Sequence, residues 1–304
     1  MKNIIKRYPI LMRGITRLEL FMKAYFPILR AKIAYRIAYG KKCNLKQPKT
    51  LSEKLLWLSL NTYRNNKTVM ELSDKYLVRN YVEKQAGKKY LNELFFVYNS
   101  IKDIDYQKLP QQFALKVSQG CATNVFCDDK TTLDKREFDK TLKNWGSGQR
   151  LYDKVMADVG GIPKKQLPKY YICEKLLQEK GKKSPTDYKI YCFNGVPKAI
   201  LVISDRFEQK SGLFMSTNWE VLSELSGSYK KPSQVYSKPK SLDDMLLAAE
   251  RLSAPFPFVR IDMYDIDGNA VFGEMTFFPN GCVHFQETQL DGKSMGEALA
   301  LPIS

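Results

Sequence analysis

The feature that most constrains this chain is a pair of alternating segments near its end. Val259-Arg260-Ile261-Asp262-Met263-Tyr264 is followed by Asp265-Ile266-Asp267-Gly268-Asn269 and then by Ala270-Val271-Phe272-Gly273-Glu274-Met275-Thr276. A turn rich in Asp, Gly and Asn between alternating runs predicts a β-hairpin. Centred on Gly268, it sets Asp262 opposite Glu274 and Arg260 opposite Thr276. Side chains two apart on a strand share a face. Arg260, Asp262, Glu274 and Thr276 should therefore lie together, with Ile261, Met263, Val271 and Met275 on the core side. Facing carboxylates repel, and burying them unpaired would cost several kcal/mol. A divalent cation would relieve the repulsion, and the arginine suits a phosphate.

The 304 residues suffice for one large or two ordinary domains, and a hydrophobic content of 44% supports a real core. The formal net charge of +17 asks for an anionic partner. Arginine–glycine repeats, zinc-finger spacing and an aromatic RNA-binding signature are missing, so no nucleic acid is expected. Cys43, Cys121, Cys127, Cys173, Cys192 and Cys282 lack C-x-x-C spacing and accompany a single histidine. They read as reduced thiols of a cytoplasmic protein rather than a zinc site. No run reaches the length of a membrane span, and charges interrupt every apolar run near the start.

Residues 1–45 hold eleven Lys/Arg and one acid, Glu19, with apolar residues at helical spacing from Ile28 to Ala38. The first reading is a helical subdomain packed on the rest; the alternative is a basic amphipathic surface touching membrane or polymer. Thr50-Leu51-Ser52-Glu53 is a capping-box start. Ser73 suits the N-cap of a helix reaching Gly87. Phe113 to Val117 should be a strand whose apolar face leaves Lys116 on the other side, just before the small polar loop Ser118 to Asn124. Such a lysine can neutralise phosphate oxygens while loop amides bind others, although taken alone it reads more readily as an edge-strand lysine in solvent. Residues 130–165 read as charged and helical, with a break at Gly160-Gly161. Tyr170 to Leu177 reads as a buried strand entering a linker, Asn194-Gly195 as a hairpin turn, and Ser241 to Leu252 as a helix. Irregular alternation of helices and antiparallel strands argues an α+β class. Asp265-Ile266-Asp267 matches a loose D-x-D, but Asp-Gly belongs in a turn for backbone reasons.

The ordered set Ser73-Asp74-Lys75, Lys116, Glu174-Lys175-Leu176-Leu177, Asp187-Tyr188-Lys189, Arg260-x-Asp262 and Glu274-x-Thr276 resembles an ATP-grasp enzyme. Pro48 to Lys54, Asp187 to Gly195 and Gly273-Glu274-Met275-Thr276-Phe277 narrow the resemblance to the TupA-like ATP-grasp family, over roughly residues 45 to 290. It implies two α+β subdomains sandwiching ATP, divided as a basic helical segment 1–65, a phosphate-binding subdomain 66–170 and a C-terminal subdomain 171–304. It implies that Lys75, Lys116, Ser118 and Gly120 meet the ATP phosphates, that Glu174 and Leu177 meet adenine, and that Asp187 lies near the ribose. Asp262, Glu274 and Thr276 would ligate Mg2+, with Thr276 standing where many ATP-grasp ligases carry Asn. Arg260, with Lys116 and Arg206, would serve catalysis.

The implied reaction is ATP-dependent joining of a carboxylate to an amine through an acyl-phosphate. Its expected substrates are a uronic-acid carboxylate of a capsular or cell-wall polysaccharide and an amino acid or other amine. The expected location is cytoplasmic, with residues 1–45 as the candidate contact to the inner membrane face. A glycosyltransferase using Asp265 and Asp267, and a non-catalytic polyanion binder on the same scaffold, are the competing readings.

Overall fold

The computed structural model describes residues 18, 21–119, 123–147, 168–204, 211–224, 235–286 and 288–302. The chain divides into two compact units interleaved along the sequence. One comprises Met1–Lys42, Ser59–Tyr76 and Leu94–Leu176; the other comprises Cys43–Leu58, Leu77–Glu93 and Leu177–Ser304. Among the described residues, no helix is long and apolar enough to cross a membrane.

The first unit is built on strands β1 (Leu94–Tyr98), β2 (Phe113–Val117), β3 (Asn124–Cys127) and β4 (Tyr171–Glu174). They form an antiparallel sheet in the order β1-β4-β2-β3. Helix Lys135–Ser147 starts where the Asp134 carboxylate accepts the backbone N–H of Arg136 at 2.8 Å and of Glu137 at 3.3 Å. Its Phe138, Leu142 and Trp145 recur at helical spacing and bury against Phe113, Leu115, Val117 and Cys173. Each such side chain stabilises the unit by about 1.5–3 kcal/mol. The alternation expected for Phe113 to Val117 is present, and Lys116 is the one residue of β2 that is not buried. The Gly160-Gly161 break lies outside the described residues.

Ser73 does not open a helix. Helix Lys67–Leu72 begins at Asn66, whose side chain accepts the Val69 N–H, and it ends at Ser73. There the Ser73 hydroxyl donates to the Val69 carbonyl at 2.8 Å. The next helix is Val78–Gln85, so Ser73-Asp74-Lys75 is a connection. The sequence pattern misleads because Ser bonds backbone equally well at either end of a helix. Gly87 does take the end position, with φ of 120° and its N–H on the Val82 carbonyl at 3.0 Å.

The second unit carries strands β5 (Asp187–Phe193), β6 (Val196–Ser204), β7 (Ser211–Met215), β8 (Val221–Glu224), β9 (Phe258–Ile266) and β10 (Asn269–Thr276). They make one antiparallel sheet in the order β10-β9-β5-β6-β7-β8. Asn194-Gly195 and Asp267-Gly268 both place two residues at positive φ, as two-residue hairpin turns require. Helix Leu242–Ser253 buries Met245, Ala248, Ala249 and Leu252 and packs on β5, β6, β9 and β10. It covers the face bearing Cys192, whose thiol lies 3.9 Å from the Ala249 carbonyl. At the start of this unit the capping box forms as expected, with reciprocal bonds between Thr50 and Glu53 of 3.2 and 3.1 Å.

The β9–β10 register shows how the charged face is made. Near the turn Phe272 pairs with Met263, but beyond Gly273 Glu274 pairs with Asp262 and Thr276 with Arg260. A bulge at Gly273 inserts one residue and reverses the alternation of β10. The pairing centred on Gly268 therefore holds for Glu274 and Thr276. Val271 is a correction: it pairs with Tyr264 on the charged face, and Phe272 takes the buried position. A Cβ at Gly273 would lie 3.0 Å from the Asp262 carbonyl oxygen and 3.0 Å from the Tyr264 ring. Glycine lets the strands approach at the bulge.

Candidate functional site

On the charged side of the bulge, three strands assemble one cluster, most of it buried. Lys189 of β5 pairs across the ladder with Asp262 of β9, and Asp187 lies two residues before it on the same face. The Asp262 carboxylate is gripped from two directions. Arg260 donates from Nε to Oδ1 at 2.6 Å and from a terminal nitrogen to Oδ2 at 2.7 Å. The Lys189 ammonium donates to Oδ2 at 2.5 Å and lies 3.0 Å from Asp187. Arg260 also reaches the Thr276 hydroxyl at 3.2 Å and lies 3.5 Å from Glu274, while Thr276 donates to Glu274 at 3.2 Å.

This corrects the electrostatic premise drawn from the sequence. Asp262 does not face Glu274 as an unpaired charge, because Lys189 and Arg260 neutralise it. Lys189 enters the sequence reading only within a motif and is given no role there, although the alternation Asp187-x-Lys189 was its available signal. Burial pushes the Asp262 carboxyl upward, against the pull of Arg260 and Lys189. Burial alone would lower Lys189, but Asp262 and Asp187 hold it above the ordinary lysine value. Arg260 is likewise raised: burial opposes its charge, and Asp262 overcomes that opposition. The guanidinium is thereby fixed in one plane by contacts on two edges.

Glu274 is the accessible acid of the group, its side chain 39% exposed against 3% for Asp262. Formally, Asp187, Asp262 and Glu274 carry three negative charges against the two positive charges of Arg260 and Lys189. Carboxylate and hydroxyl oxygens are the donors a hard cation takes, and Mg2+ usually uses one or two carboxylates with substrate phosphates supplying the rest. Glu274, Thr276 and Asp262 fit that description in kind and charge. Among the described residues, no group of three or more His, Cys, Asp or Glu is arranged to hold a metal by protein ligands alone.

In the first unit, Lys116 donates to Glu174 at 2.7 Å, from β2 to the neighbouring β4. Glu174 is buried at the strand end, while the lysine is partly open. Beside this pair, Ser118 is a fully buried anchor. Its hydroxyl donates to Asp74 at 2.8 Å and accepts the Tyr170 N–H at 3.2 Å, and its carbonyl accepts the Lys75 N–H at 2.9 Å. Asp74 in turn accepts the Tyr76 N–H at 2.8 Å. The Tyr76 and Tyr170 rings pack at 4.6 Å. Lys75 and the small-residue loop thus start from one hydrogen-bonded knot. Asp74 was the missed member; Ser118 reads as a loop residue in sequence because its partner lies 44 residues away. Leu177 follows β4 in an irregular segment and is partly exposed. Gly120 and Arg206 lie outside the described residues.

The D-x-D segment is occupied with its own turn. Asp265 accepts the Gly268 N–H at 2.8 Å and the Ser241 N–H at 3.0 Å, and Asp267 sits at φ 52°. These are turn and helix-end duties.

A face with a buried arginine, a lysine, three acids and a hydroxyl offers charge and fixed donors. The TupA-like ATPgrasp family model matches residues 53–300, and the chain belongs to that family and has its ATP-grasp fold. No curated protein matches the chain. Among solved structures it is similar to the D-alanine–D-alanine ligase of Bacillus anthracis, at 14% identity and a TM-score of 0.39 over 75% of this chain and 59% of that one. It is similar to the ATP-grasp ligase PsnB with its minimal precursor, at 13% identity and 0.36, over 74% and 58%. It is also similar to phosphoribosylamine–glycine ligase of Thermotoga maritima, at 14% and 0.37, over 69% and 49%. The chain thus spans less than two thirds of the length of each.

Proposed function

We propose that the chain is an ATP-dependent carboxylate–amine ligase that forms an amide and releases ADP and phosphate. The observation that carries this reading is the bidentate Arg260–Asp262 pair, held by Lys189 and flanked by Glu274 and Thr276, in a member of the TupA-like ATPgrasp family. A substrate carboxylate oxygen attacks the γ-phosphorus of ATP in line; the new O–P bond forms as the bond to ADP breaks. The amine nitrogen then attacks the acyl carbon, phosphate departs, and the nitrogen gives up its proton. Positioning and charge neutralisation carry such transfers.

Arg260 opposes the charge of the transferring phosphoryl group, and its two contacts to Asp262 remove the reorganisation a mobile arginine would need. Lys189 offsets the charge of Asp262 and holds its carboxylate in place. Glu274, Thr276 and Asp262 would hold Mg2+, which when bound offsets phosphate charge. Lys116 and Lys75 are assigned to ATP phosphates, Glu174 and Leu177 to adenine, and Asp187 to the ribose side. Ser118 and Gly120 are assigned to the phosphates as well. Arg206 is the second phosphate or acceptor contact. The substrates are a uronic-acid carboxylate of a capsular or cell-wall polysaccharide and an amino acid or amine; the net charge of +17 supports a polyanionic acceptor.

The test is a thermal shift of the full chain with ATP, ADP and sugar nucleotides, each with and without magnesium. A ligand binding the native state raises Tm. ATP with magnesium should raise it, and Lys116→Ala and Glu274→Gln should abolish ATP turnover. A response to sugar nucleotides alone, sensitive to Asp267→Asn, would reject the ligase in favour of a glycosyltransferase. Silence towards every nucleotide would leave a polyanion binder.

A further inference from the structure

Helix Pro27–Tyr39 displays two opposite faces. Ala31 and Tyr35 are its buried residues. At about 100° per residue, Leu29, Ile33 and Ile37 form a stripe on the opposite side, and they are 50%, 45% and 78% exposed. Just before the helix, Phe21, Tyr25 and Phe26 are exposed as well, their rings clustered at 5.0 and 5.8 Å. Arg36 borders the stripe on one side and Arg30 on the other; Lys32 is exposed, and Lys41 and Lys42 follow at the C-terminal end. The helix contains no acid.

We propose that this face lies on an anionic lipid surface, with Leu29, Ile33, Ile37 and the Phe21–Tyr25–Phe26 cluster entering the headgroup boundary and Arg30, Lys32 and Arg36 meeting lipid phosphates. An interfacial helix has this form: an apolar stripe, basic flanks and aromatic residues at the boundary. The charges select this occupant over others. A second copy would bring basic flanks against basic flanks, with no acid on the helix to pair them. A soluble polyanion would engage the arginines and lysines and leave the apolar stripe in water. A membrane supplies both chemistries at once, because anionic lipid attracts nearby basic residues while its acyl boundary takes the apolar stripe. The inference rests on this helix alone and stands apart from the ligase reading.

The experiment is co-sedimentation of the full chain with vesicles of phosphatidylcholine and with vesicles containing phosphatidylglycerol. Binding should require phosphatidylglycerol and weaken with salt. Ile33→Asp with Ile37→Asp should lower it by about tenfold or more. Lys32→Glu with Arg36→Glu should reduce it to the level on neutral vesicles. Both pairs are exposed, so the unliganded Tm should stay that of the wild type, whatever nucleotides do. Failure of the wild type to sediment with anionic vesicles overturns the proposal. So does undiminished sedimentation of the Ile33→Asp/Ile37→Asp chain, which would leave only attraction to polyanions. A stripe variant that merely converts a dimer to monomers would identify a second copy as the partner.

Discussion

Replacing Lys189 by Met tests the charge cluster directly. The Lys189 side chain is 10% exposed, and its ammonium lies 2.5 Å from Asp262 and 3.0 Å from Asp187. Methionine retains most of the volume and removes the charge, leaving Asp262 with Arg260 alone. Breaking a buried pair from one side costs about 3–5 kcal/mol, because the other charge stays buried. Arg260 still holds both Asp262 oxygens, so the loss should fall at the low end, about 3 kcal/mol, or roughly 6–12 °C in Tm for a unit of this size. Burial already pushes Asp262 upward, and loss of Lys189 pushes it further. A carboxyl whose folded-state value is raised takes up a proton more readily folded than unfolded. The deficit should therefore be fullest above the raised value and shrink as pH falls through it towards the ordinary carboxylate range. Thermal unfolding without nucleotide at a series of pH values measures this. In an Asp262→Asn background, Lys189→Met should cost much less. Equal cost in both backgrounds, or a loss below about 1 kcal/mol, would refute the coupling.

Glu53→Gln should destabilise the second unit by about 1.5–3 kcal/mol, read by denaturant unfolding. Burial pushes Glu53 up, but the N–H groups of Asn44, Lys49 and Thr50 outweigh it and hold the carboxyl below its ordinary value. The wild-type advantage should be complete above the ordinary glutamate range and vanish as pH falls through the lowered value. Burial raises the Cys173 and Cys192 thiols to about 12. Iodoacetamide should spare them in the folded protein and modify them after unfolding; because the fold retains their protons, their contribution to stability should decline from the ordinary thiol range up towards that value. Gly273→Ala crowds the Asp262 carbonyl and the Tyr264 ring, and should cost about 1–3 kcal/mol. It should also lower ATP turnover more than Val271→Ala does, because it moves Glu274.

Much of the local structure is legible from residue types alone. Asn194-Gly195 and Asp267-Gly268 demand tight turns because each needs two residues at positive φ, and the Thr50–Glu53 box starts a helix through bonds three residues apart. The apolar alternation of Phe113 to Val117 commits one face to the core and turns Lys116 to the other. Those are interactions over a few residues, where chemistry and spacing suffice. The facing pair of Asp262 and Glu274 was also readable, yet by a count through Gly268 that the fold realises differently, with a two-residue turn and a compensating bulge at Gly273. Val271 and Phe272 consequently exchanged faces.

Which residues meet across long separations is set by the fold as a whole. Lys189 reaches Asp262 across 73 residues, Lys116 reaches Glu174 across 58, and Ser118 closes on Asp74 across 44. Spacing along a strand fixes which side of a sheet a residue occupies, but strand order fixes its neighbours, and that order comes from packing the sheet as a whole. For this reason the sequence determined the acids, the arginine and the helical stripe of residues 27–39. The fold determined that Lys189 of a neighbouring strand joins Arg260 on the buried aspartate.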